Sequence, residues 1–203
     1  MKSSALLLFI ALLLAACSPT PKTSTESKPA AAAKSATDLA TGRIALGRMN
    51  IPAHMWAADI QPVHLESEPT PDADGAGGKS AVWRSEWVSV AKRSAKDFTW
   101  SGSAAANEDS SSRGLTAGSE SSWSPANTSM APFFPGYLKV DSDQAYVTAK
   151  KKLTGKDKTT PVKYMLSFDG RKNLLIWHIS FGDTSPVTID IDATTGAYIR
   201  TEH

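Results

Sequence analysis

Toward the C-terminus the apolar positions change period in an order that spells out a small α+β unit. Asp141 and Gln144 have the N-cap and N3 spacing of a capping box. Ala145, Ala149 and Leu153 follow on one helical face, and Gly155 offers a stop. From residue 161 the period drops to two. Val162, Tyr164 and Leu166 alternate with other residues, Asp169-Gly170 marks a hairpin, and Leu175, Trp177, Ile179 and Phe181 share the next face. Val187, Ile189 and Ile191 share the one after, with Thr188, Asp190 and Asp192 turned to solvent, and Thr195-Gly196 leads into a last apolar segment at 197–199. A helix and three or four antiparallel strands bury their apolar faces by packing the helix on one side of a curled sheet.

The region from residue 38 repeats this order in weaker form. Asp38 is placed as a helix cap, with Leu39, Leu46 and Met49 among the apolar positions after it. Pro52 has to kink or restart the helix before Ala53, Trp56, Ala57 and Ile60 continue the stripe. Pro62-Val63 then stand where Pro161-Val162 stand, and Asp74-Gly75 precede Trp83 as Asp169-Gly170 precede Trp177. The likeness predicts two diverged copies of one helix-plus-sheet unit, residues 38–102 and 138–203, with Trp83 and Trp177 each facing its own helix. Residues 103–137 between them are of low complexity and read as a connector. Its Trp123, Phe133, Phe134 and Tyr137 either pack across the two units or form an exposed patch.

The N-terminus adds a location. Lys2 precedes an apolar run over residues 5–16 that falls short of the ~20 residues needed to span a bilayer and has the shape of a secretory signal peptide, residues 1–16. Residues 18–37 hold no apolar side chain larger than Ala, so 17–37 reads as a flexible linker. Leu14-Ala15-Ala16-Cys17 resembles the lipobox of bacterial lipoproteins. The resemblance implies that Cys17 is the lipidation site, carrying a diacylglyceryl group and palmitate-type acyl chains that hold the mature chain to a membrane. Ser18, rather than Asp, after the Cys implies by the same resemblance the outer membrane, facing the periplasm. Cys17 is the sole cysteine, so an internal disulfide is excluded.

A second resemblance lies at the other end. The helix with Ala145 and Ala149 in its core, the hairpin, and the closing Asp192-Ala193-x-Thr195-Gly196 resemble a PepSY domain over residues 139–201. Members of that family often place acidic residues around the helix, whereas this one ends in Lys150, Lys151 and Lys152, so no partner charge carries over. The resemblance implies a non-enzymatic binding role, the modulation of a protein or peptidase in the periplasm. The rival expectation is a structural or assembly factor of an envelope complex. A sheet with an open edge can accept an extended peptide as an added strand.

Charge and candidate chemistry narrow this further. With 22 Lys+Arg against 20 Asp+Glu, the chain lacks the basic surplus of a nucleic-acid binder. "ADGAGGKS" at 73–80 fits a loose phosphate-loop pattern, but Trp83 and Trp87 after it alternate as in a strand, where a phosphate loop must open a helix. A hairpin loop tip, and no nucleotide, is the expectation. Asp72 and Asp74 begin a calcium-loop spacing whose twelfth position is Trp83 instead of Glu. His54, His64, His178 and His203 have no metal-ligand spacing, with His64 and His178 on polar strand faces. Asp190 and Asp192 share a strand face but point to solvent, and no serine sits in a nucleophile elbow. The expectation is therefore a non-enzymatic lipoprotein with no catalytic residue, metal or cofactor, and Cys17 as its site residue.

Overall fold

The stretches of period two become strands, and both helical stretches become helices. The computed structural model describes residues 37–103, 113–126, 131–155 and 157–203. The signal-peptide reading and Cys17, with most of the linker, lie outside them. In chain order the elements are β1 (Ala40–Thr41), α1 (Gly42–Trp56), β2 (Ile60–Glu68), β3 (Lys79–Ser80), β4 (Val82–Ser89), β5 (Ser94–Ser101) and β6 (Gly114–Ser122). Then come α2 (Ser142–Lys150), β7 (Val162–Asp169), β8 (Leu174–Phe181), β9 (Val187–Asp192) and β10 (Tyr198–Glu202). β1 and β3 pair by themselves. The other strands form one eight-stranded antiparallel sheet in the order β10-β9-β8-β7-β2-β4-β5-β6.

Within this sheet each helix is thus followed by a run of four strands, and the two runs meet edge to edge. Leu65 on β2 stands opposite Leu166 on β7 at the junction. This corrects the expectation of two separate sheets: an isolated first strand would leave an unpaired edge, and each run closes the edge of the other. The core is shared in the same way. Trp83 and Trp177 are fully buried with ring centroids 6.3 Å apart, and Tyr164 packs within 6.0 Å of one and 6.4 Å of the other. Trp177 does not keep to its own helix, because a Cβ on Gly42 of α1 would meet its ring at 2.5 Å.

The helix starts are locked together. Each of the two indoles donates to a carbonyl just ahead of a helix, Trp83 Nε1 to Ala40 O and Trp177 Nε1 to Val140 O, both at 2.9 Å. The capping box at Asp141 and Gln144 is present. Asp141 also serves α1: its carboxylate accepts from Arg43 N at 2.9 Å and from Thr41 Oγ1 at 2.6 Å, while Ser142 Oγ accepts from Gly42 N at 2.8 Å. Thr41, not Asp38, is the N-cap of α1, and its side chain makes no cap bond of its own. Asp38 instead pairs with Arg48 at 3.2 Å. Two helix N-termini with orphan N–H groups facing one carboxylate is a favourable electrostatic arrangement.

Three further expectations change. α1 runs through Pro52 without a break, and α2 ends at Lys150 with Lys151 as its cap, well before Gly155. The connector is not structureless: β6 lies within residues 103–137 and forms one edge of the sheet, its exposed small polar side chains hiding the strand from a periodicity reading. Trp123 is buried on the sheet face opposite the helices with Val63, Val88 and Ala95, and Phe133 enters the main core. Only Phe134 and Tyr137 of the four connector aromatics stand exposed, packed edge to face at 6.0 Å.

Candidate binding groove

The groove runs between α1 and the connector. Arg43, Gly47, Asn50 and His54 recur at helical spacing along one flank of α1 and line it, with Leu46 beneath. Phe134, Pro135 and Leu138 form the opposite wall, and Asp59, Ile60, Gln61 and Trp87 close the floor and one end. The groove is open to solvent and holds about 670 Å³, in the range of pockets that take small molecules or a few residues of peptide. Gly47 keeps the space clear, since a Cβ there would meet nothing within 4 Å.

The polar groups of the groove are mostly donors. Trp87 is 1% exposed, and its Nε1 is buried without a hydrogen-bond partner. A buried indole N–H left unpaired costs on the order of 1–3 kcal/mol. Asp59 is the one carboxylate in the lining and is already committed, accepting from Ser89 Oγ at 2.5 Å and Ala91 N at 2.8 Å. Those two bonds hold its carboxyl below the usual carboxylate range. With Asp59 committed, the Arg43 guanidinium is the charged group left to the groove, against an apolar floor. Sequence reasoning found Leu46, Trp56 and Ile60 as core but not the groove, because residues 134–138 carry no periodicity that would place them across from α1.

The opposite sheet face holds a second polar constellation. Ser167 Oγ is 3.0 Å from His178 Nε2, and His178 Nδ1 is 2.6 Å from Asp190 Oδ1. Arg200 Nε donates to Asp190 Oδ2 at 2.7 Å. Asp190 is fully buried, which corrects the expectation of a solvated, unperturbed carboxylate. Burial pushes its pKa up, but the bonds from His178 and Arg200 outweigh that and hold it below the ordinary range. The connectivity matches a serine-hydrolase relay, yet Ser167 sits mid-strand, opposite His64 on β2 and Ile176 on β8. A strand paired on both sides offers no turn to aim N–H groups at an oxyanion. The row works as a cross-strand polar ladder.

The remaining sequence candidates are structural. In "ADGAGGKS", Gly75 and Gly78 are buried at positive φ. The loop is therefore no exposed tip: it packs beneath the start of α2, with Gly78 O accepting from Ser142 Oγ at 2.6 Å. Tyr164 Oη stitches it, donating to Gly75 O at 2.7 Å and accepting from Gly78 N at 3.0 Å. The chain then continues into β3 and β4, not into a helix. Asp72 accepts from Ser103 Oγ at 3.3 Å and Asp74 from Ala76 N at 2.9 Å. His64 faces Glu86 at 3.9 Å. Among the described residues no group of three or more His, Cys, Asp or Glu is placed to hold a metal ion. None of their helices is long and apolar enough to cross a membrane.

No family model matches this sequence, and no curated protein is significantly similar to it. A solved structure does share the fold: the crystal structure, at 1.85 Å resolution, of a candidate lipoprotein from Clostridium difficile 630. It superposes with a TM-score of 0.52 over 78% of this chain and 91% of the other, at 12% sequence identity.

Proposed function

We propose that the chain is a lipid-anchored, non-enzymatic protein of the bacterial envelope that binds a protein or peptide partner in the groove beside α1. Support for the anchor comes from the Leu14-Ala15-Ala16-Cys17 lipobox and from the lipoprotein description of the protein that shares its fold. The observation that carries binding is the groove itself: an open, largely apolar trough between α1 and residues 134–138, whose one carboxylate, Asp59, is already committed. The finer reading is of two PepSY-like units that modulate a peptidase from the periplasmic side of the outer membrane. Matching Pro62-Val63 to Pro161-Val162 places Ser67 on Leu166, and the cross-strand partners of those two residues are Trp83 and Trp177. The parallel bonds of the two indoles to Ala40 and Val140 favour the same duplication.

The test is capture by crosslinking in intact envelopes, wild type against Gly47→Trp. The substitution replaces a mid-helix glycine facing open space, so the fold should hold within about 1 kcal/mol while the indole fills the trough. The expected result is loss of the captured partner with an unchanged melting curve. Equal capture by the variant would sink the groove as the binding site. A partner that is an envelope assembly component rather than a peptidase would favour the assembly-factor reading, to which the exposed Phe134–Tyr137 pair also lends itself.

A further inference from the structure

We infer that α1 carries a second, weaker membrane contact: its outward ridge rests on an anionic lipid surface. Ile44, Ile51 and Met55 stand seven and four residues apart on one row of the helix and are 50%, 66% and 84% exposed. At 100° per residue this ridge lies about a quarter turn from the row that lines the groove, so the two surfaces are neighbours and not the same one. α2 exposes only Val147 among its large apolar side chains, so the ridge is not a general property of the helix layer. α1 also contains Arg43, Arg48 and His54 and no carboxylate along Gly42–Trp56. The Arg48 charge is partly offset by Asp38, while the Arg43 guanidinium is bonded only to a carbonyl, that of Lys139. An apolar row flanked by cations is the pattern of a helix that lies in a headgroup layer.

The occupant follows from where the chain enters the fold. α1 is the first helix after the linker, and it begins one short strand beyond Asp38. The segment between Cys17 and Asp38, fully extended, reaches at most about 70 Å. An anchored chain therefore holds α1 at an effective concentration of order millimolar against the bilayer, where a weak contact is enough. This rests on the lipoprotein reading for the anchor, while the ridge itself can be tested without one.

The mature chain carrying Cys17→Ser, which cannot be acylated, is sedimented with vesicles of one part phosphatidylglycerol to three of phosphatidylcholine, and with phosphatidylcholine alone. Binding to the anionic vesicles is expected, weaker on the neutral ones and in high salt. The double variant Ile51→Asp, Met55→Asp should bind about tenfold less with an unchanged melting temperature, since both side chains already face water. Equal binding by the variant, or none by the parent, overturns the proposal. So does a variant that binds vesicles normally but loses a protein partner, which would make the ridge a protein interface. Palmitate labelling of the native chain in cells, lost in Cys17→Ser, tests the anchor separately: absence of label there would end the lipoprotein reading and leave the vesicle result standing.

Discussion

Trp177→Ala should lower the stability of the whole chain by about 3–5 kcal/mol, the usual cost of truncating a large aromatic in a core. The side chain is fully buried, packs on Trp83, Tyr164 and Gly42, and satisfies the Val140 carbonyl, which the variant would leave bare. Because those neighbours belong to both halves of the sheet, the loss is expected in a single cooperative transition during urea denaturation. Trp83→Ala should displace the same transition. The double variant should cost less than the sum, as for residues in contact. Two resolved transitions, each sensitive to one tryptophan only, would mean that the halves fold independently.

Gly78→Ala is expected to cost about 3 kcal/mol, from two sources that a neighbouring glycine separates. At Gly78, φ is 76°, and an added Cβ would lie 2.2 Å from Asp143 Cα in the backbone of α2. At Gly77, φ is 73°, but the Cβ would meet nothing within 4 Å. Gly77→Ala therefore measures the left-handed backbone strain alone, about 1 kcal/mol. The excess at Gly78 measures the close approach of the loop to the helix start, of the size expected for overpacking. Chemical denaturation of the two variants side by side gives the difference. Equal costs would show that the loop yields freely, and the glycine-rich segment would then need some explanation other than packing.

The C-terminal half was legible because its strands alternate cleanly. Every inward position read from residues 162–191 is buried, and the Asp141–Gln144 capping box is where the spacing places it. The N-terminal half was legible only by comparison with it. Asp38 looked like a helix cap because Asp and Ser are the usual caps, and no local rule can announce that the acceptor for α1 arrives from Asp141. The joining of the two runs into one sheet was hidden for the same reason: Leu65 and Leu166 pair across the chain, and strand pairing at that range leaves no mark on either segment. Asp190 was misjudged because alternation gives a strand face but not what covers it. His178 and Arg200 shut out water where a polar face had promised solvent. The groove escaped because one of its walls is built on a single 3₁₀ turn, Pro135–Tyr137, too short to show a period.

The carboxylate shared by the two helix starts bears on how the polypeptide is made. Asp141 lies 100 residues beyond the Thr41 hydroxyl it receives. At a synthesis rate of roughly 5–20 residues per second, a nascent chain holds the first helix uncapped for about 5–20 s before its acceptor emerges. Over the same interval β2, which ends in the middle of the sheet, has no β7 beside it and presents a bare edge to any other strand. Folding of the N-terminal half is thus completed from behind, by residues translated later. A ribosome stalled shortly before residue 141 would display a polypeptide with an unfinished helix start and a sticky strand edge, the kind of species that chaperones retain.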